Sequence, residues 1–528
     1  METRRPDCWH GKPPQLIRLL AKRCVGRGVV ASIAAVIGLA ALDVNAQEAT
    51  TRPGLSVVPS LGIRQTLTDN VGLASTGRRS DLITELSPGL RLSSNAGLVR
   101  GFLDYSLTGV VYARESSSNN VRQSLSAAGT AEAIDKWAYI DASASISQQY
   151  ISALGTQSTD SALVDANRTE VASAQLSPYV RGRLGGFATY EARATWATTR
   201  SKNSNADSKS TGTLLRIASD TSSFARFGWS ADWSHQVVDF SATGSNEIDS
   251  LTGVLTFAAT NDLRLSARAG REVNNLLTLD KTGYRTWGWG GSWKPTDRTR
   301  LDVTRDQRFF GTSHSVRLEH RMPRSVWTFS DAQDISTNAS SSGSTAPQTV
   351  YDLLFAQFAS IAPDPVQRAA LVDTFLQNNG LTRTTLASGG FLTPSVSVQR
   401  SQTFSVAMLG VRSTVLVSTF RSDARAVNPT ASFAGDLSNG NTLHTIGFSV
   451  NVSHRLTPLS ALSAGLTRTQ TSASLGGQST DLRSLTATWT NRLRESADLS
   501  VSARRTLFGS ATNPYAEDAV IANLRLRF

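Results

Sequence analysis

The last residues of the chain alternate strictly. Val520, Ala522, Leu524, Leu526 and Phe528 fall on one face of a strand, and Asn523, Arg525 and Arg527 fall on the other. The same period of two recurs upstream. Leu263, Leu265, Ala267 and Ala269 interleave with Asp262, Arg264, Ser266 and Arg268. Leu301 and Val303 interleave with Arg300, Asp302 and Thr304, and Val99 to Val111 alternates against Arg100, Asp104, Ser106 and Thr108. Each polar set carries charge of both signs. Charge is costly against lipid, so these sets are expected to face a lumen.

Short polar turns separate the strands at one end and longer loops at the other. Short turns are expected at Ser93–Gly97, Ile134–Lys136, Thr260–Asp262, Pro295–Arg298, Met322–Arg324, Leu456–Leu459 and Arg492–Ser496. Long loops are expected at Thr68–Ser80, Tyr150–Asn167, Arg200–Lys209, Arg421–Asn441 and Leu507–Ala516. The pattern predicts an all-β fold, a transmembrane antiparallel up-and-down β-barrel of roughly 22 strands. Trp287, Trp289, Trp293, Trp327 and Trp489 lie near strand ends, where an aromatic girdle belongs.

One segment departs from the alternation. Asp331 to Leu392 reads as an insert within a loop. Val350, Leu354, Phe358 and Ile361 are spaced for one helical face. Asp364, Pro365 and Gln367 supply an N-cap, a first-turn proline and a capping-box partner for a second helix, continued by Ala369, Val372 and Leu376 and ended at Gly380. This helical hairpin is expected to constrict the lumen, cover the mouth, bind a partner, or simply pack on itself as a surface excursion.

The N-terminus changes the setting. Arg18, Lys22, Arg23 and Arg27 precede a short apolar run from Val29 to Leu42, and Val44-Asn45-Ala46 offers small residues for cleavage. Residues 1–46 are therefore predicted to be a signal peptide, and 47–528 the barrel. Cys8 and Cys24 both fall in that leader, so the remainder has no thiol. No stretch beyond it reaches 18 apolar residues, which excludes helical spans. The mean hydropathy of −0.18 suits a barrel, whose strands average lipid-facing and lumen-facing residues.

The formal charge is +12, and the leader's seven Lys/Arg and three Asp/Glu leave about +8 beyond it. That charge is spread along the chain without a basic run interleaved with aromatics, so nucleic-acid binding is not expected. Arg100, Arg264, Arg268, Arg300, Arg317, Arg321, Arg525 and Arg527 are the lumen-facing basic candidates, and an excess of guanidinium there would favour anions. Leu524, Leu526 and Phe528 form the expected assembly signal. His314 and His320 lie roughly 20 Å apart on one strand, and His444 and His454 at opposite ends of another, so no metal site is expected from histidine pairs. No nucleophile elbow, P-loop or zinc-protease helix is present in the sequence, and neither an enzyme nor a cofactor is expected.

Several segments carry a family resemblance. These are Val58 to Val71, Ser80 to Leu90, Leu103 to Tyr105, Trp293 to Thr299, Arg308 to Gly311, Leu318 to Arg321, Trp327, Pro363 to Pro365 and Arg368. Together they resemble the PEP-CTERM system-associated outer-membrane proteins, close to the EpsL-like exopolysaccharide-operon barrels. The resemblance spans nearly the whole chain beyond the leader. It implies an outer-membrane barrel encoded beside exosortase and exopolysaccharide genes. Its implied partners are outer-membrane lipid, the barrel assembly machinery, and exopolysaccharide or envelope export components. Two readings follow: a conduit or accessory for polysaccharide export, and a plugged scaffold or general anion-preferring porin.

Overall fold

The computed structural model describes residues 54–219, 226–278, 280–339, 391–428, 433 and 435–528, together with six isolated positions between 351 and 376. The leader, Cys8 and Cys24 lie outside the described residues. So do Val350, Leu354, Phe358, Ile361, Asp364, Pro365, Gln367 and Gly380.

The strands are β1 (Leu55–Thr68), β2 (Asp81–Ala96), β3 (Val99–Tyr112), β4 (Asn120–Ile134), β5 (Ala138–Tyr150), β6 (Arg168–Leu184), β7 (Ala188–Ser201) and β8 (Ser208–Ser219). They continue as β9 (Phe227–Phe240), β10 (Gly244–Ala258), β11 (Leu263–Asn274), β12 (Thr282–Thr296), β13 (Thr299–Arg308), β14 (Gly311–Met322) and β15 (Ser325–Ser336). The last are β16 (Ser397–Leu409), β17 (Ser413–Ala426), β18 (Thr442–Arg455), β19 (Ser460–Ala473), β20 (Ser479–Arg494), β21 (Ala497–Ser510) and β22 (Tyr515–Arg527).

Every strand pairs antiparallel with its neighbour in sequence, and β1 closes on β22 from Ser60↔Arg527 to Thr68↔Ala519. The result is the expected transmembrane barrel of 22 strands. Closure leaves no unpaired edge, the condition for a sheet to cross lipid. Pro88 and Pro178 lack an N–H, and the β2–β3 and β6–β7 ladders each skip a step where they sit.

Loops after odd-numbered strands and turns after even-numbered ones emerge at opposite ends. The β2–β3, β12–β13, β14–β15 and β20–β21 turns contain two residues each, whereas residues 69–80 join β1 to β2 and 151–167 join β5 to β6. The start of β1 and the end of β22 share the turn end.

The outward face carries the apolar set. Leu251, Leu255, Leu265, Trp287, Trp289, Trp293, Leu466, Leu485 and Trp489 are all exposed there, as lipid-facing side chains must be. Leu524 lies between its register partners Ile63 and Leu499 and is fully buried. Leu526 stands between Leu61 and Ala497, and the Phe528 amide donates to the Pro59 carbonyl at 3.0 Å, extending the closing ladder by one residue.

Two expectations change. The excursion does not begin at Asp331: β15 continues through Ser336, and the excursion is 337–396. The outward face of β15 carries Asp331 and Gln333 near its loop end, so charge is not confined to the lumen. Asp331 is satisfied there by Arg400 and Gln402 at 2.9 Å and by His314 at 3.1 Å. Within the excursion Tyr351, Phe355, Arg368, Ala369, Val372 and Leu376 are helical. Ala369, Val372 and Leu376 are buried, as their spacing predicts, and the Arg368 guanidinium lies 4.8 Å over the Phe355 ring.

Candidate functional site: a capped lumen

The loop end of the lumen is closed from within. The 151–167 loop turns inward, and at its centre Asp160 accepts from Arg64 of β1 at 3.1 and 2.5 Å and from Arg504 of β21 at 2.6 Å. Arg504 also donates to Glu517 of β22 at 2.8 Å, and Arg64 to Glu85 of β2 at 2.8 Å. The side chains of Asp160, Arg504 and Glu517 are 1%, 6% and 0% exposed, so the charges compensate one another rather than being solvated. Burial alone would raise the Asp160 pKa. Arg64 and Arg504, with the Ala162 amide, outweigh it and hold the carboxyl well below the ordinary 3.8.

Three tyrosines grip the same loop by its carbonyls. Tyr112 donates to Ala162 at 2.6 Å, Tyr150 to Ser158 at 2.6 Å, and Tyr515 to Gln157 at 2.5 Å. Tyr112 and Tyr515 satisfy backbone oxygens that would otherwise be buried bare, and the Ser158 carbonyl is shared with Arg168 at 2.7 Å. Val71 and Leu73, from the loop after β1, pack with Ala162 and Leu163 against Ile83, Val110, Phe508 and Tyr515.

A second tether joins loop to loop. Asp436, between β17 and β18, accepts from the Ser152 hydroxyl at 2.7 Å and the Ala153 amide at 2.6 Å. Its burial raises the pKa, opposed by those two hydrogen bonds. Beside it Phe391 bridges Tyr150 in parallel and packs with Ala153, Ala424, Ala426, Leu437 and Leu443. The ends of the long excursion complete the cap: Ala339, Leu392 and Val396 are buried with Val171, Val238, Phe240 and Ile248. The inward constriction therefore comes first from 151–167, a loop whose sequence gave no sign of direction, and the excursion contributes its described ends.

Beneath the cap, β7 to β15 line a cavity of about 1070 Å³. Arg193, Arg216, Arg264, Arg268 and Arg308 face Asp232, Glu272, Asp306 and Asp334 across it. Arg268 reaches over β12 to Asp306 at 2.9 Å, passing above Gly288, the register partner of both. A Cβ at Gly288 would collide with the Asp306 carboxylate and the Arg305 carbonyl. Arg308 binds Glu272 at 2.9 Å and Asp334 at 2.5 Å.

All eight basic candidates fall on the inner face. Arg300 pairs with Asp302 at 2.6 Å, Arg321 with Glu319 at 2.5 Å and Arg527 with Asp498 at 2.5 Å. Arg100, Arg264, Arg317 and Arg525 have no ion pair among the described residues. Half of the expected guanidinium excess is thus neutralised. Sequence reading missed Arg64, Asp160, Arg504 and Glu517, because their meeting depends on the closing register. It also missed that His235, Glu247 and Asp249 converge on the outward face, held in a His235–Asp249 hydrogen bond of 2.7 Å and a Lys281–Glu247 pair. Pairs of histidines alone could not reveal that cluster.

No family profile and no curated protein sequence matches the chain. Among solved structures it is similar to the FrpB iron transporter of Neisseria meningitidis in its apoprotein form, with 9% identity, 89% of this chain and 81% of that one covered, and a TM-score of 0.47. It is similar also to the siderophore receptor PirA of Acinetobacter baumannii (10% identity, 91% and 81% covered, TM-score 0.42). A third is the outer membrane protein OpdK of Pseudomonas aeruginosa (10% identity, 89% and 99% covered, TM-score 0.34).

Proposed function

We propose that this chain is an outer-membrane barrel acting as a gated conduit, accessory to exopolysaccharide export beside an exosortase system, with its loops outside the cell and both barrel termini in the periplasm. The observation that carries the gate is the Asp160 tether: a polar-walled cavity is closed by a loop held through ion pairs and hydrogen bonds, without a covalent lock. Such a closure is stable at rest and can be displaced by a partner or a polymer end that offers substitute contacts. The polysaccharide assignment rests on the family resemblance.

Bilayer recordings test the gate. The wild-type barrel should show small, infrequent openings, and a variant lacking residues 153–165 should conduct in large, steady steps. A freely conducting wild type, or a silent deletion variant that has inserted normally, overturns the gate. Deleting the gene should then reduce surface polysaccharide while leaving its cytoplasmic precursors in place. The competing plugged scaffold predicts no conductance in either barrel.

A further inference from the structure

The outward face near the loop end holds an uncompensated basic patch. Arg271 of β11 and Arg285 of β12 stand directly opposite one another, and both are exposed. Like charges in that position repel. Arg305 of β13, also exposed, follows on the next strand. None of the three has an ion pair among the described residues.

The geometry is arranged to accept this crowding. The Arg271 guanidinium lies across Gly283 on β12, and a Cβ there would come within 3.0 Å of it. A second opposed pair on the same face provides a contrast. Arg468 and Arg483 also face each other, but Asp481 sits with them at 3.0 and 2.5 Å and cancels the repulsion. Asp249, on the same face, is held instead by His235, and among the described residues no carboxylate pairs with Arg271 or Arg285.

Depth identifies what does. Below Arg285 on the same face of β12 come Trp287 and Trp289, 63% and 50% exposed, then Trp293 near the turn end. Trp287 and Trp293 are separated by roughly 20 Å along the strand, about 15 Å in height once tilt is allowed for, which fits within an apolar band of about 25 Å. Tryptophan marks the level where hydrocarbon meets headgroup. Arg271 and Arg285 stand one step beyond Trp287, at the level of lipid phosphates, and Arg305, opposite Trp289, reaches toward that level along its long apolar stem. Guanidinium also binds phosphate through paired hydrogen bonds.

We infer that Arg271, Arg285 and Arg305 form a binding site for the phosphate groups of a phosphorylated glycolipid in the outer leaflet. This rests on the membrane orientation proposed above. The bound phosphate takes the place that Asp481 fills at the other arginine pair.

The test uses the purified full barrel in neutral detergent and native mass spectrometry with two probes, diphosphorylated lipid A and the same lipid after enzymatic dephosphorylation. The wild type should retain the phosphorylated form preferentially. The Arg271→Gln/Arg285→Gln/Arg305→Gln variant should lose that preference by roughly a hundredfold, as removal of three surface cations from an anionic headgroup implies. Arg483→Gln should keep it. If the triple variant does not refold, Arg285→Gln alone should show a smaller loss in the same direction. An equal affinity of the wild type for both probes, or an unchanged preference in the variants, would each overturn the assignment. Insertion of the wild type into liposomes is scored separately. Failure to insert removes the membrane reading and this site with it, whereas normal insertion without headgroup preference removes this site alone.

Discussion

Asp160 and Arg504 are 344 positions apart in the chain and meet at 2.6 Å inside the barrel. The contact is buried and shared with Arg64, so it ties an internal loop to both sides of the barrel closure. Replacing Asp160 by Ala leaves Arg504 with Glu517 alone and Arg64 with Glu85 alone. Breaking one member of a buried charge network costs about 3 kcal/mol. The expected outcome is an open cap in an intact barrel: more conductance and faster proteolysis within 151–167, with unchanged heat-modifiable migration. Wild-type protease resistance would show that the tyrosine and apolar contacts hold the loop by themselves.

The two cap carboxylates respond to pH with opposite signs. Asp160 is held well below the ordinary 3.8, so its contribution is fully present above about pH 4 and is lost as pH falls toward its lowered value. Asp436 is raised, so the contribution from its proton is present at low pH and is lost as pH rises through the raised value. Acid below about pH 4 should therefore open the cap by way of Asp160. Asp436→Asn, which stays neutral, should remove the opposing trend seen at higher pH. Open probability measured across pH in both proteins checks this; identical profiles would exclude Asp436 as a contributor.

Gly288 and Gly253 give a paired substitution. At Gly253 a Cβ meets only the Ala269 carbonyl at 3.7 Å, whereas at Gly288 it collides with the Asp306 carboxylate. Gly288→Ala should destabilise the barrel by about 1–3 kcal/mol through overpacking and displacement of the Arg268–Asp306 pair. Gly253→Ala should be neutral or stabilise by about 0.5 kcal/mol. Urea unfolding in detergent, followed by tryptophan fluorescence, measures both. Equal effects would mean that Asp306 can move aside without cost.

Topology is open to direct labelling, because both cysteines of the chain lie within the expected leader. A cysteine at Thr512, exposed in the loop before β22, should react with an impermeant maleimide on intact cells. One at Arg298, exposed in the β12–β13 turn, should react only after outer-membrane rupture. The reverse pattern would invert the proposed orientation.

Deletion of Phe528 removes the terminal aromatic and one closing hydrogen bond but leaves Leu524 and Leu526 in place. Inserted protein in cells should fall severalfold while thermal stability of the purified barrel changes little. Normal insertion would place the assembly signal elsewhere.

The architecture was legible because alternation reports it directly. Leu263 to Ala269 and Val520 to Phe528 each show the period of two that a half-buried strand requires, and short and long connections alternate along the chain. Alternation fails near the loop ends. Asp331, Arg271, Arg285 and Arg305 face outward there, so polarity no longer marks the inner face. The cap was illegible for another reason. Asp160 sits in an ordinary-looking loop, and its partners are specified only by the β1–β22 register. A sequence can show that a loop is long, but the direction in which it folds depends on residues brought together from distant strands.

The seam between β1 and β22 gives the tether a place in time. Every other strand pairing joins neighbours along the chain and can be added hairpin by hairpin, whereas this one must wait for the last strand. Arg64 lies on one side of the seam and Arg504 and Glu517 on the other. Asp160 therefore finds its complete set of partners only in a barrel that has already closed. An unfinished sheet cannot latch its own cap, and an engaged latch is a record of completed assembly.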